Sequence, residues 1–296
     1  LFAGGGMRGV AYAGALERLE AAGALRCVRG VAGVSIGALV AFLYAIGYSV
    51  AELRRIAFEL DFGTLQHVDE ETVFTVSENY GIDDGAGVRA WLEGLLRRRG
   101  LVGGTRFRDL KTLGFPELRV YACRLRDAAT VEFSARRTPS IPIVDALMAS
   151  IAVPLYFVPV RIGRDVYVDG GVTDNYPLAL FSAAERRSVL GFVFKKDLEA
   201  HAPQATDSFL RYGTHLIRVM GHHRYITQIQ HYRDVTVVID CGAMELLDFG
   251  MGTEEKERLM AVGAAAVEGW ITRGTGKHGT GKHESGKGGA RRWSIS

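Results

Sequence analysis

The chain has 296 residues, of which 48% are apolar and 23% charged, with a formal net charge of +3. That length and apolar content suit one large domain with a sizeable core and exclude a largely disordered chain. The weak positive charge gives no case for nucleic-acid binding, and it would tolerate an anionic lipid surface.

Leu1 to Ala3 reads as the end of a strand, and Gly4-Gly5-Gly6-Met7-Arg8-Gly9 follows it. From Val10 to Ala22 the spacing is helical: Val10, Ala13, Leu16 and Leu19 share a face, and Gly23 is placed to cap the C-terminus. Arg26 to Val34 predicts a second strand and Ser35 to Tyr48 a second helix. This β-loop-α-β-turn-α opening implies a parallel sheet with helices on both faces. The uncharged run from Gly30 to Ala51 is long enough for a membrane span. Glycines interrupt it at Gly30, Gly33, Gly37 and Gly47, and a buried strand, a sharp turn and a buried helix account for it better.

Val50 to Leu60 predicts a further helix. Between Asp61 and Gly104, apolar residues are spread among charges and glycines; the stretch reads equally as a cap over a site or as surface helices. Within it, Val88 to Arg99 is helical. Leu118 to Cys123 and Thr130 to Ser134 predict strands, Ile143 to Ser150 a short helix, and Leu155 to Ile162 and Val166 to Val168 two more strands. Val189 to Phe194 and Val235 to Ile239 are buried strands. Thr253 caps a last helix reaching Trp270, with Glu254 and Glu255 suited to its first turn. Residues 1–272 thus read as one domain. Residues 273–296, rich in Gly, Lys, His, Ser and Thr, read as a flexible, solvated tail, favoured over anion or metal binding through Lys277, His278, Lys282 and His283.

Cys27, Cys123 and Cys241 are an odd, scattered set beside apolar residues, which predicts buried free thiols and a reducing compartment. Their spacing makes no metal site. The chain begins Leu1-Phe2 without a methionine, so a secretion signal upstream stays open beside a cytoplasmic or membrane-peripheral location.

Gly33-Val34-Ser35-Ile36-Gly37 fits Gly-x-Ser-x-Gly between a strand and a helix. Such a turn projects its serine at the positive end of the helix, with Gly33 and Gly37 relieving the crowding. Gly4, Gly6 and Gly9 also fit the dinucleotide fingerprint, but the second strand ends without the carboxylate that fingerprint needs. The alternative use of the same glycines is an oxyanion hole, built from the amides around Gly5, Gly6 and Met7. Arg8 reads as fixing that loop, attracting a phosphate, or simply lying at the surface. Asp169 follows Val166-Tyr167-Val168 and precedes Gly170-Gly171, an acid at the tip of a buried strand where sheet enzymes place their chemistry. It can act as a base if it touches the serine in a dry site, where its pKa rises. A triad order with His201, His215, His222, His223 or His231 is formally available, though none has a distinctive setting.

These three motifs, in this order, resemble those of the patatin-like phospholipase family. Ala11-Tyr12-Ala13-Gly14-Ala15-Leu16, Ala149-Ser150-Ile151-Ala152-Val153-Pro154 and Asp174-Asn175-Tyr176-Pro177 resemble the family's flanking segments, so the resemblance covers roughly residues 1–195. It implies a three-layer α/β/α fold with a central, mostly parallel sheet and a Ser–Asp dyad without histidine. Carried over, Ser35 is the nucleophile, Asp169 its base, Gly4 to Gly9 the oxyanion loop, and Gly33, Gly37, Gly170 and Gly171 the supporting glycines. The implied activity is acyl-ester hydrolysis of phospholipids or other acyl lipids at a membrane surface, with no metal or organic cofactor. Two readings from the residues stand beside it: a triad esterase on soluble esters, and a non-catalytic lipid- or nucleotide-binding module. The sequence names no oligomeric state.

Overall fold

The computed structural model describes residues 1–66, 76–195, 209–242, 244 and 250–276. A 3-10 turn, Gly6–Val10, runs directly into α1 (Ala11–Ala21). Gly23 ends the helix with φ 72°, a left-handed conformation that glycine adopts without strain, and its N–H donates to Glu20 O (2.8 Å). β1 (Gly30–Val34) is shorter than predicted, because Ala24–Cys27 forms a 3-10 turn and the strand's partner begins pairing only opposite Gly30. Cys27 therefore lies exposed, contrary to the expectation of three buried thiols; Cys123 and Cys241 are buried, and all three are free.

The further elements are α2 (Ile36–Ala45), α3 (Val50–Glu59), β2 (Gly81–Asp83), α4 (Ala86–Arg98), α5 (Phe107–Thr112), β3 (Glu117–Arg124), β4 (Ala129–Ser134), α6 (Ile143–Ile151), β5 (Leu155–Phe157), β6 (Val160–Ile162), β7 (Asp165–Asp169), β8 (Gly191–Phe194), α7 (Phe209–His231), β9 (Thr236–Ile239) and α8 (Thr253–Gly276). The single strand expected over Leu155 to Ile162 is two. The Val158 N–H leaves for Asp83 O (2.9 Å) and Pro159 has no N–H to give, so β5 pairs with β2 while β6 pairs with β7. α8 runs past Trp270 to Gly276, so Arg273–Gly276 is helical and not tail. The rest of the expected tail, with Lys277, His278, Lys282 and His283, lies outside the described residues.

Phe2 links the sheet: it bridges β1 at Gly33 and β8 at Phe192, both parallel. β1–β3 and β8–β9 are also parallel, whereas β4, β6 and β7 are antiparallel to their neighbours. Side chains alternate between two cores, as strand geometry requires. Phe2, Val120, Ala122, Phe192 and Phe194 face a core shared with α1, α2 and α8. Leu1, Ala3, Ala32, Val34, Tyr121 and Val193 face a second core completed by Tyr176, Phe181 and Tyr225. Helices thus cover both faces of a mixed α/β sheet. Among the described residues no helix is long and apolar enough to cross a membrane.

The register of β3 positions everything that follows. β4 occupies one edge over Arg119–Arg124, so β1 and β7 share the other. β1 ends with Val34 opposite Tyr121, and β7, running the opposite way, ends with Asp169 opposite Ala122. Ser35 and Asp169 therefore arrive head to head at adjacent positions on one strand edge.

Candidate active site

Ser35 occupies the turn between β1 and α2 with φ 53° and ψ −127°. A non-glycine residue there carries strain of about 1–3 kcal/mol. The surroundings impose it. A Cβ at Gly33 would stand 2.2 Å from Gly37 C and O, and a Cβ at Gly37 would stand 2.3 Å from Phe2 O. Only glycine at both positions lets the turn close on itself and on the first strand. The Ser35 N–H donates to Ser150 Oγ (2.9 Å), and that hydroxyl donates to Tyr121 O (2.7 Å). Ser150 is fully buried on α6 and straps the turn to β3.

Asp169 is 5% exposed. Its N–H donates to Ala152 O (2.8 Å), and its Oδ1 accepts from Gly171 N (2.7 Å). Burial pushes its carboxyl up from 3.8 to about 6, against the opposing effect of the nearby Ser35 hydroxyl and the hydrogen bond from the Gly171 amide. The two sequence-predicted residues thus stand side by side on the β3 edge. Gly170 packs close to Tyr121 O, where a Cβ would stand 2.7 Å away, so the loop after Asp169 lies on the same β3 carbonyl that Ser150 holds.

The glycine loop lies alongside. A Cβ on Gly4 would be 3.2 Å from Ser35 Cβ and 2.4 Å from Asn175 Oδ1. Asn175 holds Gly4 from both sides, accepting from its N–H (3.0 Å) and donating Nδ2–H to its carbonyl (3.1 Å). Gly6 has φ 55°, in the left-handed region, and opens the 3-10 turn whose Arg8 N–H reaches back to Gly5 O (3.3 Å). The first N–H groups of such a turn precede its internal acceptors and are free to face a ligand. Arg8 is not a surface residue. It is 2% exposed, its Nε donates to Gly5 O (3.1 Å), and its guanidinium lies 4.9 Å from the centroid of the Phe194 ring, so its side chain braces the loop from below. Gly5 and Gly9 let Phe194 and Ile36 pack against the loop.

Ser35 opens onto an apolar pocket of about 540 Å³, walled by residues that include Gly6, Met7, Leu39, Val153 and Phe157. A second apolar pocket of about 560 Å³ shares Gly6, Met7, Ile36, Leu39 and Phe62 with it and continues between α1, α2 and α3 past Leu16, Leu43 and Leu53. Phe62, Leu65, Gln66, Asp83 and Val88 supply another wall of the serine pocket, so part of the stretch from Asp61 to Gly104 does cover the site. Residues 67–75 of that stretch lie outside the described residues.

No described histidine acts on Asp169. His223 and His231 are exposed on α7 and His222 is half-buried there; His67, His201 and the His215 side chain lie outside the description. Among the described residues no three His, Cys, Asp or Glu side chains converge as a metal-binding group. Sequence reasoning missed Ser150 and Asn175 as site residues, although both lie in flanking segments that it had singled out. Their chemistry is visible only through what they touch.

Comparison with known proteins gives the chain's family and relatives. The family model for patatin-like phospholipase matches residues 1–182. A protein of Acanthamoeba polyphaga mimivirus is 29% identical over 280 residues, 91% of this chain and 92% of its own. A protein of Invertebrate iridescent virus 6, named a probable lipid hydrolase, is 25% identical over 178 residues, 60% of this chain and 61% of its own. The crystal structure of VipD from Legionella pneumophila shares the fold, with a TM-score of 0.62 at 14% identity. That match covers 92% of this chain and 66% of VipD, so the chain spans just under two thirds of that protein. With its model matched over more than half of its length, the chain belongs to the patatin-like phospholipase family.

Proposed function

We propose that the protein is a lipid acyl hydrolase of the phospholipase A or lysophospholipase type, a serine carboxylic-ester hydrolase working through a Ser35–Asp169 dyad. Family membership supports lipid hydrolysis. The observation that carries the finer reading is the buried Asp169 carboxylate set head to head with Ser35 on one edge of β3, beside an apolar pocket that Ser35 lines. A serine hydroxyl needs a partner to take its proton as it attacks. With its pKa raised to about 6, Asp169 is still ionised at neutral pH, yet is a much stronger base than an ordinary carboxylate.

Asp169 takes the Ser35 proton as Oγ attacks the ester carbonyl, and the negative charge that forms on the carbonyl oxygen meets the amides of the Gly4–Gly9 loop. Each such donor is typically worth ~3 kcal/mol in the transition state. Collapse of the tetrahedral species breaks the ester C–O bond. The departing lysolipid or alcohol oxygen takes the proton back from Asp169, leaving an acyl group on Ser35. Water then attacks the acyl carbonyl, Asp169 accepts its proton, and that proton returns to Ser35 Oγ as the fatty acid leaves. The two neighbouring pockets suit the acyl chain: both are apolar, they share lining residues, and one is lined by Ser35, so they offer a chain an apolar surface away from water.

On this reading the substrate is a phospholipid or other acyl lipid at a membrane surface, and the enzyme is cytoplasmic or peripheral to membranes, with secretion left open. A triad esterase would need a histidine acting on Asp169; that no described histidine does so favours the dyad. The test is incubation with defined phospholipids, identifying the released fatty acid and lysolipid. Ser35→Ala should lower release about a thousandfold or more and abolish labelling by a fluorophosphonate. Retained release in that variant would end the proposal.

A further inference from the structure

Helix α7 (Phe209–His231) is held to the fold by one face. A Cβ on Gly221 would stand 2.8 Å from Gly171 O, and one on Gly213 would stand 2.6 Å from Leu155 Cδ1. Farther along, Tyr225 Oη accepts from Phe194 N (3.3 Å). Gln228 Nε2 donates to both oxygens of the buried Asp174 carboxylate (2.9 and 3.0 Å), and Arg224 Nε pairs with it at 2.9 Å. The helix thus rests on the loop that follows Asp169 and on β5, whose Tyr156 and Phe157 line the serine pocket.

At about 100° per residue, positions 221, 225 and 228 fall on one side, and 212, 216, 219 and 220 on the other. That outer side is apolar and open. Tyr212 is 51% exposed, Leu216 43%, Val219 68% and Met220 68%. Large apolar side chains grouped in one exposed patch mark an interaction surface. The charge of the helix says which kind. Its sequence holds Arg211, Arg218 and Arg224, four histidines and no aspartate or glutamate. The helix thus brings no carboxylate of its own to a lipid surface.

We infer that this outer face of α7 seats the protein on an anionic phospholipid bilayer, with Tyr212, Leu216, Val219 and Met220 entering the boundary between head groups and acyl chains. A helix lying in that plane gains from apolar burial, and one that contributes no carboxylate meets no repulsion of its own from anionic lipid. The inference deepens the lipid-hydrolase reading and rests on it for its purpose: the same helix that meets the lipid surface packs on the Asp169 loop and the pocket rim, so docking brings the serine pocket to its substrate.

The test uses the full chain in co-sedimentation with phosphatidylcholine vesicles, with and without phosphatidylglycerol. Binding is expected to the anionic vesicles and to weaken with added salt. The triple variant Leu216→Asp/Val219→Asp/Met220→Asp should partition about tenfold more weakly or worse and lose vesicle-phospholipid hydrolysis in parallel. Its thermal midpoint and its rate on a short-chain soluble ester should stay those of the parent. Parent chain that ignores anionic vesicles, or a folded variant that binds them like the parent, overturns the inference. So does a parent dimer that the variant dissolves, which would assign the face to a second copy. Vesicle binding needs no catalysis: a parent that binds but hydrolyses nothing fails the functional proposal and leaves the docking face standing.

Discussion

Replacing Asp169 by Asn separates what the proposed site does from what it costs. Asn fills the same space, can still accept from the Gly171 amide, and carries no charge. The gap between the ordinary 3.8 and about 6 means that the ionised carboxylate destabilises the folded state by about 3 kcal/mol at neutral pH. The sign follows from proton binding. Between about pH 4 and pH 6 the folded chain holds this proton more tightly than the unfolded chain does, so the parent loses stability as pH rises through that window and levels off above it. Below it both states are protonated and the penalty vanishes. Asp169→Asn should therefore be more stable than the parent by about 3 kcal/mol near pH 8, roughly 5 °C in thermal midpoint for a chain of this size, and nearly indistinguishable near pH 4. Thermal melts of the two proteins at about pH 4, 6 and 8 read this directly. Ester hydrolysis should move the other way, falling about a thousandfold or more in the variant, while parent kcat/KM rises with pH through about 6. An advantage that stays constant with pH would mean that the carboxylate is not held in a dry site. Near-parental activity would remove it as the base.

Two further substitutions test the side chains that support the proposed machinery. Ser150→Ala strips the Ser35 N–H and Tyr121 O of their shared partner; a loss of about 1–3 kcal/mol in urea unfolding is expected, with kcat lowered and KM little changed. Asn175→Asp keeps an acceptor for Gly4 N–H but turns the donor to Gly4 O into a second acceptor and places a negative charge beside the glycine loop. On a soluble ester its kcat should fall about tenfold or more, at a KM close to that of the parent.

What could be read from the sequence is what local backbone demands dictate. Gly33 and Gly37 must be glycine because each faces main-chain atoms within 2.3 Å of where its Cβ would be, and Gly6 because its φ is 55°. Such constraints leave residue types in fixed order along the chain. Helices α1 and α4 were legible from their periodicity. What depends on pairing was not. Nothing in Leu155 to Ile162 announces that its middle donates to Asp83 and splits it between two sheets, or that Cys27 falls short of the strand. Ser150 and Asn175 matter because of a carbonyl and an amide far away in sequence. The apolar face of α7 was hidden for a related reason. Tyr212, Leu216, Val219 and Met220 are diluted by arginines and histidines, and only their exposure in the folded chain shows that these four point outward.

The site concentrates two unfavourable features at one place: a serine in a strained conformation and a carboxylate out of water. Neither would persist on a free loop. Both are tolerated because β3 fixes where β1 and β7 stop, opposite Tyr121 and Ala122, and its neighbours then deny the two residues any escape. Ser150 ties Ser35 to the Tyr121 carbonyl, Gly170 packs on the same carbonyl, and Asn175, five residues farther on, grips Gly4. Segments as far as 171 residues apart in sequence are thus bound to one strand and to one another, each tie ending on a main-chain atom. On this view the strength of Asp169 as a base and the reach of the Ser35 hydroxyl have a single cause. Weakening the straps should relax both together: in Ser150→Ala, the acid limb of the rate profile should move down from about 6 toward the ordinary carboxylate range as water enters.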